Sequence, residues 1–176
     1  MSETTLDRQF LDFSVDKLRE LSARIDSCLE QLTPEQIWAR GQENENAAGN
    51  LVLHLCGNVR QWIIANIGGQ PDSRQRSAEF AARGNVSRGE LRDLLRGTVE
   101  EAMAVIVAVP AERLPERMVI QGYEVSVLEA IYHVVEHFSM HAGQIIFITK
   151  MCTGGDLGFY RHLDSGAAQA SSAQKP

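Results

Sequence analysis

The 176 residues carry a formal charge of −6, with 44% hydrophobic and 23% charged side chains, the balance of one soluble globular domain with a sizeable core. The acidic sign argues against general affinity for nucleic acid or anionic lipid. Neither a basic-then-apolar leader after Met1 nor an apolar run of the ~20 residues that span a bilayer is present, so a cytoplasmic protein without membrane contact is expected.

Leu6, Phe10, Leu18, Leu21, Ile25, Leu29 and Leu32 recur at helical spacing between charges, which predicts a first amphipathic helix over about residues 5–31. Thr33-Pro34-Glu35-Gln36 supplies a capping oxygen, a proline at the first helical position and a glutamine three on, so a short helical turn follows, with Ile37 and Trp38 as core anchors. After the polar segment Gly41 to Asn46, a second helix runs from Ala47 to Asn66 until Gly68-Gly69 stops it. Gln70 to Val86 reads as a long surface crossover with one helical turn near Ala78 to Ala82. Its arginines, Arg74, Arg76 and Arg83, read as a solvated loop.

Ser87-Arg88-Gly89-Glu90 is a capping box, and Leu91 through Val109 keep helical spacing behind it up to Pro110, giving helix three. Met118 to Val125 predicts a small hairpin turning at Gln121-Gly122. Ser126 to Glu129 forms another capping box, opening a fourth helix that runs through Lys150 to the break at Thr153-Gly154-Gly155. Four long helices predict a four-helix bundle spanning residues 1–163, with a disordered tail from 164 to 176. Cys28, Cys56 and Cys152 are odd in number and widely spaced; they match no disulfide framework or thiolate zinc motif and read as small buried hydrophobes.

Histidines stand at 54, 133, 137, 141 and 162. His137 and His141 are offset by only about 40° on one face of helix four, and two such neutral imidazoles can bind one metal ion. The pair sits in an apolar stripe with Ala130, Val134 and Ile148, where buried ring nitrogens need partners. His133 lies near the same face, so His133 with His137 is a competing pair that spacing does not exclude; His133 also reads as a rim residue or proton shuttle. On helix two, Asn50, His54, Asn58 and Gln61 make a polar row on an inward face, a break in binary patterning that reads either as a functional site or as a hydrogen-bonded seam.

His54 in the second helix, with His137-Phe138-Ser139-Met140-His141-Ala142-Gly143-Gln144-Ile145 in the fourth, resembles the DinB superfamily. The resemblance covers roughly residues 5 to 163, and Asn50 to Trp62 and Asp156 to Leu163 resemble a functionally uncharacterised branch of it. It implies a DinB-like four-helix bundle with a long crossover between helices two and three. It further implies one divalent metal, zinc or nickel, on His54, His137 and His141, with His133 outside the ligand set. Ala142 departs from the family pattern, standing where many members have an arginine.

Three histidines leave a coordination position open, the arrangement of a catalytic site. By resemblance the leading expectation is a metalloenzyme that activates a low-molecular-weight thiol, such as bacillithiol or mycothiol, for transfer to a small-molecule electrophile or for isomerisation. A metal-dependent hydrolase acting through water on the ion is the alternative, with Asn58, Gln61 or His133 orienting substrate and Glu136 poorly placed to move protons. A non-catalytic, stress-associated metal-binding bundle is the third reading. Leu128, Val135 and Ile146, with Ile131, Phe138 and Ala142, make the face opposite the histidines apolar too; this reads as wide packing within the bundle or as a homodimer interface, which the resemblance favours.

Overall fold

The computed structural model describes residues 5–164; of the expected tail, 165–176 lie outside them. Helix α1 (Leu6–Gln31) starts where the Thr5 hydroxyl accepts from the Arg8 amide, and α2 (Pro34–Ile37) starts at the Thr33–Gln36 capping box. Helix α3 (Ala48–Val59) follows, and its chain continues without a break into a π-helical segment, Arg60–Ile67, that ends at Gly68. The crossover carries α4 (Arg76–Ala81). Helix α5 (Arg88–Val107) and helix α6 (Val127–Thr153) both begin at the expected capping boxes, and Gly154, at φ 64°, closes α6 in the left-handed conformation that suits glycine. A last turn, α7, spans Arg161–Asp164.

The four long helices form the expected bundle. Helix α1 packs between α5 and α6, and α3 packs against both from the other side. Leu18, Ile25, Leu29, Val52, Leu55, Ile63, Leu91, Ile106, Val134 and Phe138 fill the core between them. Ile37 is fully buried and Trp38 packs half-buried beside it. Among the described residues no helix is long and apolar enough to cross a membrane.

Strands β1 (Arg117–Ile120) and β2 (Tyr123–Ser126) pair antiparallel, Arg117 opposite Ser126 and Ile120 opposite Tyr123. Their two-residue turn puts Gln121 at φ 53° and Gly122 at φ 83°, the two left-handed positions of the turn that best matches strand twist. Gln121 then reaches Gln61 with a short side-chain hydrogen bond, laying the hairpin tip against the π-helical segment.

One sequence expectation needs correction, and one open alternative is narrowed. Cys28 and Cys56 are buried, but Cys152 is only half-buried. On the second apolar face of α6, Ile131, Phe138 and Ala142 are fully buried within the chain, in keeping with the wide-packing alternative for this part of it. Leu128 of that face is exposed, and so are Tyr132, Met140, Phe147 and Met151, which the expectation did not include.

Candidate metal centre

Helices α3 and α6 carry His54, His137 and His141 to one point. The Nε2 atom of His137 lies 3.1 Å from Nε2 of His54 and 3.1 Å from Nε2 of His141, and one ligand atom from each ring falls within 4.8 Å of the others. His133 is not in this group. Its ring stacks on Trp62 with centroids 4.1 Å apart.

Two of the three rings are held from behind. His54 Nδ1 lies 2.9 Å from Glu79 Oε2 and 3.2 Å from Arg74 Nη2; Arg74 Nη2 already donates to Glu79 Oε2 at 3.0 Å, and the carboxylate, at the shorter distance, only accepts, which assigns the proton to Nδ1 and leaves Nε2 facing inward bare. Burial pushes the Glu79 carboxyl up, but hydrogen bonds from His54 and Arg74 outweigh it, and its pKa stays below the usual value. Arg74 donates to both Glu79 oxygens, at 2.8 and 3.0 Å, which neutralises the carboxylate in place. His141 Nδ1 donates to Gln144 Oε1 at 2.7 Å, leaving its Nε2 bare as well.

His137 then has one proton and no good place for it. On Nε2 it serves one of two facing lone pairs; on Nδ1 it is buried with no acceptor. A second proton is opposed, because burial first, and the facing His141 and His54 next, push the His137 pKa down to about 3, and burial lowers that of His141. A divalent cation satisfies all three rings at once. Zinc–nitrogen bonds of ~2.0–2.1 Å in a tetrahedron set ligand nitrogens about 3.3 Å apart, close to the 3.1 Å of the two pairs that include His137; the third pair, His54 and His141, lies within 4.8 Å.

A cleft of about 380 Å³ opens beside the histidines, walled by Asn58 and Trp62, by His133, by the crossover arginines and by the hairpin at Tyr123. The π-helical segment brings Trp62 to it. An i→i+5 helix advances about 82° per residue instead of 100°, so over three residues Trp62 falls back by about 50° toward the His54 face. Trp62 Nε1 and Asn58 Oδ1 are themselves fully buried without partners.

The polar row on α3 thus divides its work. Asn50 pins the crossover, donating to the carbonyls of Glu79 and Ala82 at 2.8 and 3.1 Å and accepting from Arg40. His54 joins the cluster and Asn58 walls the cleft. Gln61 is not a cleft residue; it donates to Asp72, and its amide oxygen is taken up by Arg74 and Gln121. Glu136 is exposed and absent from the cleft wall. The crossover arginines are not uniformly solvated as expected, since the Arg74 side chain is only 4% exposed.

The match to known families decides where the chain falls. Residues 5–160 match the family described as Protein of unknown function (DUF1572). The chain belongs to that family. Among solved structures, this DUF1572 member is similar to a conserved protein of Enterococcus faecalis, with a TM-score of 0.69 at 16% identity over 82% of this chain and 97% of that one. It is also similar to a histidine-to-alanine mutant of the mycothiol-dependent maleylpyruvate isomerase, with a TM-score of 0.61 at 15% identity, spanning 77% of this chain and 60% of the isomerase. At such identities the likeness is one of fold. No curated protein matches the sequence.

Glu79, Arg74 and Trp62 are site residues that sequence reasoning missed. One signal was available for Glu79: Gly57, three residues after His54 inside a helix, is costly there and marks a close approach. A Cβ on Gly57 would lie 2.0 Å from Glu79 Oε1.

Proposed function

We propose that the chain is a mononuclear divalent-metal protein of the DinB superfamily, with His54, His137 and His141 as ligands and zinc or nickel as the ion. The observation that carries this reading is the convergence of three Nε2 atoms that no proton arrangement satisfies. We further propose that it is a metalloenzyme acting on a small molecule through a low-molecular-weight thiol. A divalent ion on three neutral imidazoles lowers the pKa of a thiol or water brought to its open position and so supplies a nucleophile near neutral pH.

The chain's own residues do the rest. Glu79 and Gln144 fix the tautomers of His54 and His141, which keeps two Nε2 lone pairs on the ion. Asn58, Trp62 and His133 shape the cleft in which the electrophile sits. The protein's buried thiols are unsuited to act themselves: burial raises the Cys28 pKa and pushes that of Cys56 up to about 12. An external thiol therefore supports the reading better than an internal one, in keeping with the thiol dependence of the isomerase it resembles in fold. Hydrolysis is less well supported, since among the described residues no aspartate or glutamate walls the cleft to move protons. The exposed apolar stripe on α6 supports a homodimer.

The test is elemental analysis of the purified protein beside three variants. His54→Ala and His137→Ala lose the metal, whereas His133→Ala keeps it. Retention in His54→Ala breaks the interhelical site, and loss in His133→Ala transfers the ligand role. A thiol-transfer screen on the metal-loaded protein then separates a catalyst from a binding protein.

A further inference from the structure

Arginines in this acidic chain are almost all spoken for. Among the described residues, every arginine but one donates to a carboxylate, an amide or hydroxyl oxygen, or a backbone carbonyl. The exception is Arg76, in the first turn of α4. It has no hydrogen-bond acceptor and no ion-pair partner, and it lines the cleft beside the histidines. Its guanidinium carbon lies over the Phe80 ring, 5.0 Å from the centroid, a contact that supplies no oxygen acceptor for its N–H groups.

The rest of the wall supplies no negative charge to meet it. Among the described residues no aspartate or glutamate lines the cleft, and the other arginine there, Arg74, is matched by Glu79. An overall charge of −6 therefore encloses a cleft whose own balance is positive, and low-dielectric walls focus such a field on small anions. The remaining surface is aromatic and apolar: Trp62 stacked on His133, with Tyr123 and Val125 from the hairpin. At about 380 Å³ the cleft falls in the range of small-molecule sites.

We propose that this cleft takes a small organic carboxylate with a planar or apolar body, and that Arg76 selects the charge. The carboxylate accepts from the guanidinium N–H groups, and the body lies among Trp62, His133 and Tyr123. The proposal names the substrate class for the function proposed above and rests on it for the cleft's role, but the charge selection stands on Arg76 alone.

Benzoate and its neutral isostere benzamide are the probes, titrated by calorimetry into the full chain with and without stoichiometric zinc. Benzoate binds the wild type about tenfold tighter than benzamide, and Arg76→Gln removes about that factor for benzoate while leaving benzamide unchanged. Arg76→Lys keeps part of the preference, and Arg83→Gln, on the same crossover outside the cleft wall, keeps all of it. No benzoate binding at millimolar concentration, equal binding of the two probes, or an Arg76→Gln variant that binds benzoate like wild type overturns the proposal. A protein that retains no zinc but shows the Arg76 effect sinks the metal reading and leaves this one standing; retained zinc with indifference to Arg76 does the reverse.

Discussion

Gly57 and Glu79 fit against each other so closely that any side chain at 57 must displace the carboxylate, a Cβ there lying 2.0 Å from Oε1 and 2.8 Å from Cδ. That carboxylate is no loose end, because His54 and Arg74 both hold it. Gly57→Ala is therefore expected to destabilise the protein by about 1–3 kcal/mol, the cost of overpacking, and to weaken zinc binding. Gly143→Ala, where a Cβ meets nothing within 4 Å, is the control and gains up to ~1 kcal/mol from helix propensity. Denaturant melts and zinc competition titrations of the two variants check this; equal behaviour would remove Glu79 from the site.

Glu79 itself is expected to act as a positioning residue for His54. Glu79→Gln removes the negative charge and leaves one accepting oxygen for which His54 and Arg74 compete, and a change of that kind costs about 10–100-fold in metal affinity. Glu79→Ala also leaves the buried Arg74 charge uncompensated, at about 3–5 kcal/mol of stability. Arg74→Met in the Glu79→Gln background should recover part of the stability but not the zinc affinity. Cobalt substitution gives a readout that bulk stability does not move: the visible band shifts in Glu79→Gln if His54 turns, and an unchanged spectrum and affinity contradict the role.

These two residues also show where sequence reading reached its limit. Periodicity and capping boxes place all four long helices and the hairpin, because each start is written locally, as in Ser126 with Glu129 or Thr33 with Gln36. The same 100° arithmetic puts His54, His137 and His141 on inward faces but gives His133 equal standing. It takes the packing of α3 on α6, which no local pattern encodes, to show His133 against Trp62 instead. Past Val59 the arithmetic fails outright, since the π-helical segment changes the angular step and exchanges Gln61 for Trp62 at the cleft. Glu79 and Arg74 come from the crossover, where no periodicity operates and a buried charge pair is indistinguishable from a solvated one.

The histidine cluster should make the metal-free protein acid-sensitive. His137 and His141 stay neutral in the fold below the usual histidine value, His137 down to about 3, while in the unfolded chain they take up protons near pH ~6.5. Between those limits the unfolded state binds more protons, so stability rises with pH; the contribution is full above about pH 6.5 and is lost as pH falls toward the folded value. Thermal melts in chelator from pH about 7.5 down to about 4.5 should show a falling midpoint, with a shallower slope in His137→Gln. Parallel slopes in the two proteins would mean that His137 is not held neutral.

The last expectation concerns assembly. Tyr132, Met140, Phe147 and Met151 on α6 are 60%, 54%, 64% and 71% exposed, and their spacing keeps them within about 100° of arc on one helix face. A row of large apolar side chains on one face is unusual for a monomer's surface and normal for an interface. Sedimentation of the wild type should give twice the chain mass of 19.5 kDa. Met140→Glu with Phe147→Glu should give the single-chain mass, because two carboxylates facing their own copies across a symmetric contact are both desolvated and repelled. Met140 is the residue before His141, so zinc content is measured on the same samples. Monomer with zinc retained assigns the stripe to assembly alone, while a wild type that sediments as a clean monomer rules out the dimer.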